Sequence, residues 1–301
     1  MNKQLLSRRQ FNTRCAALGL LLPTATIGAA AESAKRTVRF PDGTIVPAVG
    51  QGAWHLGQGR HPTGVEEEAI RTGISLGMTL VDTSGNYGNG KSEQFLGHAL
   101  AGARDRIYLV SKVEANEISG DGIARACAAS LSRLGTDHLD LYLLHSPVPT
   151  KEFTGVVTAF EQLRAAGKIR AWGVSNFDRT QMEDLFKVRY GDRCATNQVQ
   201  YSIRNRRIEH DLLPWCEQHN MPVMAYSPLG GDNALVMSNP KVKQIAAAHQ
   251  CPASAVALAW VIRSGKIIAI PESGSPAHTK ENAAALSVQL TPQELQTLTA
   301  A

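Results

Sequence analysis

The sequence predicts a single (β/α)8 barrel, or TIM barrel, on two observations. Eight apolar runs of strand length follow residue 46, and most are continuous rather than alternating, as is typical of parallel strands buried on both faces. Segments with helical spacing, such as 64–77 and 118–135, separate these runs. Strict alternation without a linker-like stretch fits one α/β domain, and a TIM barrel usually has ~250 residues. An open doubly wound sheet is the competing fold, but no G-x-G-x-x-G motif follows the first strand.

The elements can be placed in chain order. A hairpin is expected over 36–49, because the dipeptide Asp42–Gly43 is typical of a tight turn between strands. A hairpin at this place can close the bottom of a barrel. The eight predicted barrel strands are 48–54, 78–83, 107–113, 139–145, 171–176, 195–200, 222–228 and 266–271. We therefore assign residues 32–301 to one barrel domain.

Residues 1–31 resemble an export signal rather than part of the fold. The stretch SRRQF at 7–11 is a twin-arginine signature, and an apolar stretch too short for a membrane span follows it. Ala29 and Ala31 supply the small residues of a cleavage site, which predicts a mature chain beginning near Glu32. This interpretation implies passage through the twin-arginine translocase and a periplasmic location without a stable membrane anchor. A disordered amphipathic tail is the alternative.

The charge distribution argues against some classes of partner. The formal net charge is +5, and four basic residues of the first 31, which contain no acidic residue, account for most of it. The barrel domain is therefore nearly neutral, which does not favour nucleic acid or an anionic membrane as partner.

The cysteines beyond residue 31 are widely scattered, with neither a disulfide framework nor metal-ligand spacing, so we expect packing roles and no metal site.

Four polar residues stand at or just beyond the ends of three neighbouring strands. Asp82 ends the second strand, Tyr87 lies in the glycine-rich loop after it, Lys112 ends the third strand and His145 ends the fourth. Each residue alone is more often structural, as a strand-end charge, a turn or a satisfied core histidine. TIM barrels carry their chemistry at the C-terminal ends of the strands, however, and all four would meet there.

The chemistry of these four groups suits the reduction of a carbonyl. A tyrosine with its ordinary pKa of ~10 is a poor proton donor at neutral pH, but a neighbouring ammonium such as Lys112 lowers that pKa. Asp82 would keep Lys112 charged in a buried position. His145 could donate a hydrogen bond to a carbonyl oxygen. Such a group of residues fits a reaction in which hydride reaches carbon while negative charge develops on oxygen.

Seven motifs surround these residues in a fixed order. They are VDTSGNYGNGKSE, LVSKV, LDLYLLHSP, GKIRAWGVSN, NQVQYS, MAYSPLG and IPESGSPAHTKEN. Together they resemble the aldo-keto reductases over essentially all of 36–301, and within that family the bacterial methylglyoxal-reductase type. The resemblance implies NAD(P)H-dependent reduction of small aldehydes and ketones, with Tyr87 as general acid and Asp82, Lys112 and His145 completing a tetrad. A cofactor-binding regulatory or sensor barrel with little turnover is the alternative, and the intact tetrad favours the enzyme.

The resemblance also implies a cofactor site and a substrate pocket. At the nicotinamide end, the carboxamide would be held by Ser175, Asn176 and Gln198, and the ring would stack on Tyr226. The pyrophosphate would lie along Ser227 and Leu229, and the adenosine end would contact Ser273 and Asn282. A wall of the substrate pocket would be formed by Trp54. A packed aromatic at the barrel rim is the alternative for Trp54. The chain stops soon after residue 291, where many relatives continue, so we expect an open pocket.

Two departures from the family pattern bear on the choice of cofactor. Glu272 stands where the pattern usually has lysine, and His278 where it has arginine. A carboxylate repels the 2′-phosphate of NADPH and can accept a hydrogen bond from the 2′-hydroxyl of NADH. A mostly neutral histidine cannot replace a guanidinium as a phosphate clamp. The sequence therefore predicts a preference for NADH. The alternative is that Glu272 turns into solvent while Lys280 or another cation holds the phosphate.

Overall fold

The computed structural model describes residues 36–118, 121–148, 153–231 and 233–300. The predicted export signal, residues 1–31, lies outside these ranges, so it stays a prediction. Within the described ranges, no helix is long and apolar enough to cross a membrane.

Over the described residues, ten strands form a hairpin and an eight-stranded parallel sheet. The hairpin pairs β1 (Thr37–Arg39) with β2 (Ile45–Pro47) in antiparallel fashion. The parallel strands are β3 (Gln51–Gly52), β4 (Leu80–Asp82), β5 (Tyr108–Val113), β6 (Leu139–Leu144), β7 (Ile169–Ser175), β8 (Asn197–Gln200), β9 (Val223–Tyr226) and β10 (Ile267–Ile270). Each pairs with its neighbour in chain order, so all eight predicted strands are confirmed.

The sheet closes on itself. Parallel bridges join Val49 to Ala269 and Gly52 to Glu272, across the gap between the first and last strands. The Gly50 amide donates to the Ala269 carbonyl at 2.8 Å, and the Gly52 amide donates to the Pro271 carbonyl at 2.9 Å. Closure removes both sheet edges and excludes the open doubly wound alternative.

Helices follow the strands as the alternation predicts. They are α1 (Thr63–Ser75), α2 (Lys91–Ala99), α3 (Gly122–Leu134), α4 (Thr154–Ala165), α5 (Arg179–Phe186), α6 (Leu212–Gln218), α7 (Asn233–Ser238), α8 (Pro240–Ala248), α9 (Ala253–Val261), α10 (Pro276–Ala283) and α11 (Pro292–Thr299). The predicted helix at 64–77 corresponds to α1. The one at 118–135 corresponds to α3, which begins at Gly122 and ends at Leu134, and a short 3₁₀ turn lies before it over Ala115–Glu117.

The core lies between the strands and the helices that cover them. All six residues of β6 are buried, which fits its largely apolar sequence. Its one charged residue, Asp140, is paired with Arg104 and Arg170. Outside that strand, Phe160 of α4 stacks on Trp172 of β7 at 5.5 Å. Cys127 on α3 and Cys216 on α6 are buried and free, so the expected packing role is confirmed for both.

The hairpin covers the N-terminal end of the barrel. Val38 and Val46 are buried, and the Phe40 ring stacks at 5.4 Å on Tyr108, the first residue of β5. Since Tyr108 marks the start of a parallel strand, the hairpin lies at the end opposite the strand exits. The predicted closure of the bottom is confirmed.

Candidate active site

A cavity of about 590 Å³ opens at the C-terminal ends of the strands. It collects most of the predicted site residues. Those that line it are Trp54, Asp82, Tyr87, His145, Ser175, Asn176, Gln198, Tyr226, Ser227, Leu229 and Glu272. The strand ends therefore converge as the fold requires.

A fully buried ammonium organises the floor of this cavity. Lys112 of β5 is 1% exposed, and its Nζ donates to three oxygens. It lies 2.7 Å from Asp82 Oδ2, 2.8 Å from the Thr83 carbonyl and 3.0 Å from the Tyr87 hydroxyl. The second Asp82 oxygen accepts from Gln198 Nε2 at 2.8 Å. The ammonium and carboxylate are thus buried with hydrogen-bond partners, the condition for keeping such charges in an interior.

The loop between β4 and α2 holds Tyr87 over Lys112. The Tyr87 amide donates to the Ser84 carbonyl at 3.2 Å, which closes a turn. Gly88 and Gly90 follow with φ of 57° and 86°, in the left-handed region that glycine adopts without strain. A Cβ on Gly90 would lie 2.7 Å from the Arg133 side chain. The glycines of this motif therefore allow the chain to turn tightly and present the phenol.

Burial and charge oppose each other at these groups. Burial alone would lower the pKa of Lys112, but the charge of Asp82 and the contact with Tyr87 outweigh it, so the pKa is raised and the ammonium stays charged. Burial raises the pKa of Tyr87, and Lys112 offsets this only in part. The expectation that Lys112 lowers the Tyr87 pKa below its ordinary value is wrong, because desolvation of the phenolate dominates. The phenol accordingly keeps its proton at neutral pH.

His145 meets a carboxylate that the sequence interpretation missed. Its Nδ1 contacts Glu114 Oε1 closely and lies 3.2 Å from Ser84 Oγ. The His145 ring stands edge-on to the Tyr87 ring, with centroids 5.6 Å apart. Glu114 directly follows the last residue of β5, two positions after Lys112. That spacing was the available signal, since alternate residues of a strand share a face.

Polar side chains on β7, β8 and β9 form a connected row along the other side of the cavity. Ser175 Oγ donates to the Gln198 carbonyl at 2.8 Å, and Asn176 Nδ2 lies 3.1 Å from both Ser175 Oγ and the His145 carbonyl. The Tyr226 hydroxyl donates to Asn176 Oδ1 at 2.9 Å. Asn176 and Ser227 have φ of 63° and 46°, unusual values for residues other than glycine. Such strain clusters at ligand-binding sites.

The rim of the cavity contains Trp54 and Glu272. Trp54 is 57% exposed, stacks on the His55 ring at 4.2 Å and lines the cavity, so its role as a wall of the substrate pocket stays a prediction. The two Glu272 oxygens contact the His55 amide and His55 Nδ1, each at 2.9 Å. These bonds hold the carboxylate against the rim rather than directed into solvent.

Besides the buried Lys112, which meets the cavity through Asp82 and Tyr87, three predicted residues lie outside the cavity lining. Ser273 Oγ bonds within its own loop, donating to the Ser275 carbonyl at 2.9 Å. His278 is exposed on α10, and Asn282 is buried on the same helix. Their adenosine-end roles stay predictions. Among the described residues, no group of three or more histidine, cysteine or acidic side chains is arranged to hold a metal ion.

Comparison with known proteins identifies the family. The model of the aldo/keto reductase family matches residues 48–301. The chain is 46% identical to methylglyoxal reductase YeaE of Escherichia coli (strain K12) over 267 residues, which cover 88% of this chain and 94% of that one. Aldo/keto reductases of Klebsiella pneumoniae, solved with NADP and acetate and with NADPH, superpose with TM-scores of 0.84 at 43% identity, covering 88% of this chain and 94% of theirs.

A barrel with a polar site at its strand exits defines an α/β-barrel enzyme. The chain belongs to the aldo/keto reductase family and is an oxidoreductase that reduces carbonyl groups with a nicotinamide cofactor. The predicted family resemblance and fold are therefore confirmed.

Lys112→Met is expected to destabilise the barrel, because it leaves the buried Asp82 carboxylate without its charged partner. Removing one member of a buried ion pair costs about 3–5 kcal/mol. The double variant Asp82→Asn/Lys112→Met removes both charges and should recover much of that loss. Urea unfolding midpoints measure both effects, with Lys187→Met, which breaks an exposed pair, as the control. A single variant as stable as the wild type would contradict a buried charged pair.

Proposed function

We propose that this protein reduces small aldehydes and ketones, including α-dicarbonyl compounds such as methylglyoxal, with Tyr87 as the proton donor. The observation that carries the proposal is the hydrogen-bonded chain from Asp82 through Lys112 to Tyr87 on the cavity floor. The sequence similarity to a methylglyoxal reductase supports the substrate class. The cavity beside the exposed Trp54 is open in the part of the chain that the structure describes, which suits small substrates of varied shape.

The residues around the cavity fit a nicotinamide dinucleotide. Tyr226 is partly exposed in the lining and offers a ring face for stacking, while Ser175, Asn176 and Gln198 provide hydroxyl and amide groups beside it. We expect these four side chains to hold the nicotinamide end, and the strained Ser227 backbone, with Leu229, to follow the phosphates. The reduced cofactor supplies the hydride that reaches the carbonyl carbon.

Tyr87 then completes the reaction at oxygen. A carbonyl oxygen bound at the phenol gains negative charge as hydride arrives, and Tyr87 transfers its proton to that oxygen. The phenolate that remains lies 3.0 Å from the Lys112 ammonium, which stabilises it. Asp82 keeps the ammonium in place and is itself held by Gln198. The raised Tyr87 pKa keeps the proton on the donor until charge develops on the substrate.

Tyr87→Phe should lower kcat/KM for small aldehydes by ~10²–10⁴-fold, because general acid catalysis typically contributes that much. Cofactor affinity should change little, since the variant keeps the ring and removes only the hydroxyl. Steady-state kinetics and fluorescence titration of the cofactor measure the two quantities. Tyr190→Phe, at an exposed position, is the matched control. Near-normal turnover by Tyr87→Phe would refute Tyr87 as the proton donor. A wild-type protein that binds the cofactor but reduces no carbonyl compound would favour the alternative of a regulatory or sensor barrel.

We further propose that the enzyme prefers NADH. The support is the Glu272 carboxylate, which lines the cavity and is fixed there by two contacts with His55. Two unit charges 4 Å apart interact by about 4 kcal/mol at an effective dielectric of 20. Screening at the rim reduces this to about 1–2 kcal/mol, or roughly tenfold in affinity for a 2′-phosphate. His278 offers no guanidinium to offset the repulsion.

Kinetics with both cofactors test this preference. The wild type should show a higher kcat/KM for NADH, Glu272→Gln should narrow the difference, and Glu272→Lys with His278→Arg should reverse it. Glu217→Lys makes the same change of charge as Glu272→Lys, at an exposed position on α6, and should leave the ratio unaltered. Strong selectivity of the wild type for NADPH would overturn the proposed role of Glu272.

We also propose that the protein is exported through the twin-arginine route. The support is the SRRQF stretch, the apolar segment after it and the Ala29–Ala31 cleavage pattern. Replacing Arg8 and Arg9 together with lysine should leave the precursor in the cytoplasm, whereas Lys3→Arg should not affect export. Cell fractionation with N-terminal sequencing reads both results. A wild-type protein found in the cytoplasm with Met1 retained would contradict the proposal.

A further inference from the structure

We propose that Arg133, which lies outside the catalytic cavity, positions Tyr87 for proton transfer. Arg133 is on α3 and supports residues 83–90, which we call the Tyr87 loop, from the side away from that cavity. It touches no reacting atom and is therefore a positioning residue. This inference rests on the proposed role of Tyr87 as proton donor and identifies what holds the phenol in place.

The Tyr87 loop has open space on two sides. Asn86, directly before Tyr87, lines the catalytic cavity and also a second cavity of about 300 Å³. Gly85, Asn89 and Arg133 line the second cavity as well. Close packing, which normally fixes a side chain in a protein interior, is therefore incomplete around this loop. A specific contact has to keep the loop from moving into the second cavity.

The Arg133 side chain lies against two glycines of the Tyr87 loop. A Cβ on Gly90 would lie 2.7 Å from Cδ and 2.9 Å from Nε of Arg133, and a Cβ on Gly85 would lie 3.2 Å from its Nη2. These glycines stand two residues before and three residues after Tyr87. The arginine therefore spans the segment that carries the phenol and is in contact with the backbone on both sides of it.

A buried ion pair fixes the arginine in this place. Arg133 Nε donates to Glu93 Oε2 at 2.6 Å, and Glu93 Oε1 accepts from Ser111 Oγ at 2.6 Å. Glu93 is fully buried in the first turn of α2, which begins where the Tyr87 loop ends. Ser111 directly precedes Lys112 on β5. The support beneath the phenol is thus connected to the strand that carries the buried ammonium.

Other contacts hold the base of the Tyr87 loop. Ser92 Oγ lies 2.9 Å from Thr83 Oγ1 and donates to the Ala53 carbonyl at 2.6 Å. Because these bonds do not involve Arg133, its removal should leave the start of the loop and α2 in place while Tyr87 shifts. A displacement of ~1 Å in a reacting group can lower the rate about a hundredfold. Loss of Arg133 should therefore slow proton transfer in a protein that remains folded.

Arg133→Met removes the guanidinium and keeps most of the side chain's length. The single-turnover rate of aldehyde reduction, which excludes product release, should fall about ten- to a hundredfold. The Kd of the cofactor, from fluorescence titration, should change less than twofold, since no residue of α3 is among the described residues that line the catalytic cavity. Urea unfolding curves establish the conditions under which each variant is folded.

Arg104→Met is the matched control. Arg104 is partly buried, as Arg133 is, and pairs with the buried Asp140 of β6 at 2.8 Å, away from the Tyr87 loop. This variant should lose stability and keep the wild-type rate. An equal loss of rate in Arg104→Met would show that general destabilisation, rather than the position of Tyr87, explains the effect, and would overturn the proposal.

Arg133→Lys carries the test if Arg133→Met does not fold. Lysine keeps a cation for Glu93 but lacks the terminal nitrogen that lies beneath Gly85. Its single-turnover rate should therefore fall between those of the wild type and Arg133→Met. A folded Arg133→Lys with the rate of the wild type would contradict the proposed support at Gly85.

The ¹³Cζ resonance of Tyr87 tests the position of the phenol without relying on turnover. This resonance, assigned by its loss in Tyr87→Phe, reports the hydrogen bond between the phenol and Lys112. It should shift in the Arg133 variants and stay unchanged in Arg104→Met. A folded Arg133 variant with the wild-type resonance would overturn the proposal. If the wild type reduced no carbonyl compound, the proposed function would fail, while this resonance would still decide the role of Arg133.

Discussion

The ammonium of Lys112, buried completely at the end of β5, is the interaction on which the site depends. Removing such an ion from water costs several kcal/mol, so it can persist only where its hydrogens are accepted. Asp82, the Thr83 carbonyl and Tyr87 supply the three acceptors. Each comes from the end of β4 or the loop after it. The Lys112 ammonium on β5 therefore constrains the conformation of the chain at the end of β4 and fixes the Tyr87 phenol over the cavity.

The same constraint extends around the barrel mouth. Asp82 must hold the ammonium, and its second oxygen is held in turn by Gln198 of β8, on the other side of the barrel. The Gln198 carbonyl accepts from Ser175, which contacts the Asn176 amide, and Asn176 accepts from Tyr226. A continuous set of hydrogen bonds thus joins the proton donor to the surface expected to hold the nicotinamide. The proton donor and the expected nicotinamide surface are thus both positioned relative to the buried Lys112 ammonium.

Sequence reasoning predicted the strands, their closure and the convergence of the tetrad because each follows from a simple rule. Continuous apolar runs form buried parallel strands, and polar residues at strand ends meet at one mouth. It missed Glu114 at His145, because the spacing of Glu114 from Lys112 indicates a shared face but does not identify the side chain that the carboxylate contacts. It also gave the wrong direction for the Tyr87 pKa, since the depth of burial that outweighs Lys112 is a property of the packed barrel. The pairing of His55 with Glu272 joins residues 217 positions apart and has no local signature.

The most direct test of the account is a crystal structure of the enzyme with the oxidised cofactor and a small carboxylate that mimics the carbonyl substrate. One carboxylate oxygen should lie within hydrogen-bond distance, ~2.6–3.2 Å, of the Tyr87 hydroxyl, with Lys112 still bound to both Tyr87 and Asp82. The nicotinamide ring should stack on Tyr226. A carboxylate bound away from Tyr87, or a phenol turned away from Lys112 in the complex, would contradict the central claim that the buried ammonium presents the proton donor to the substrate.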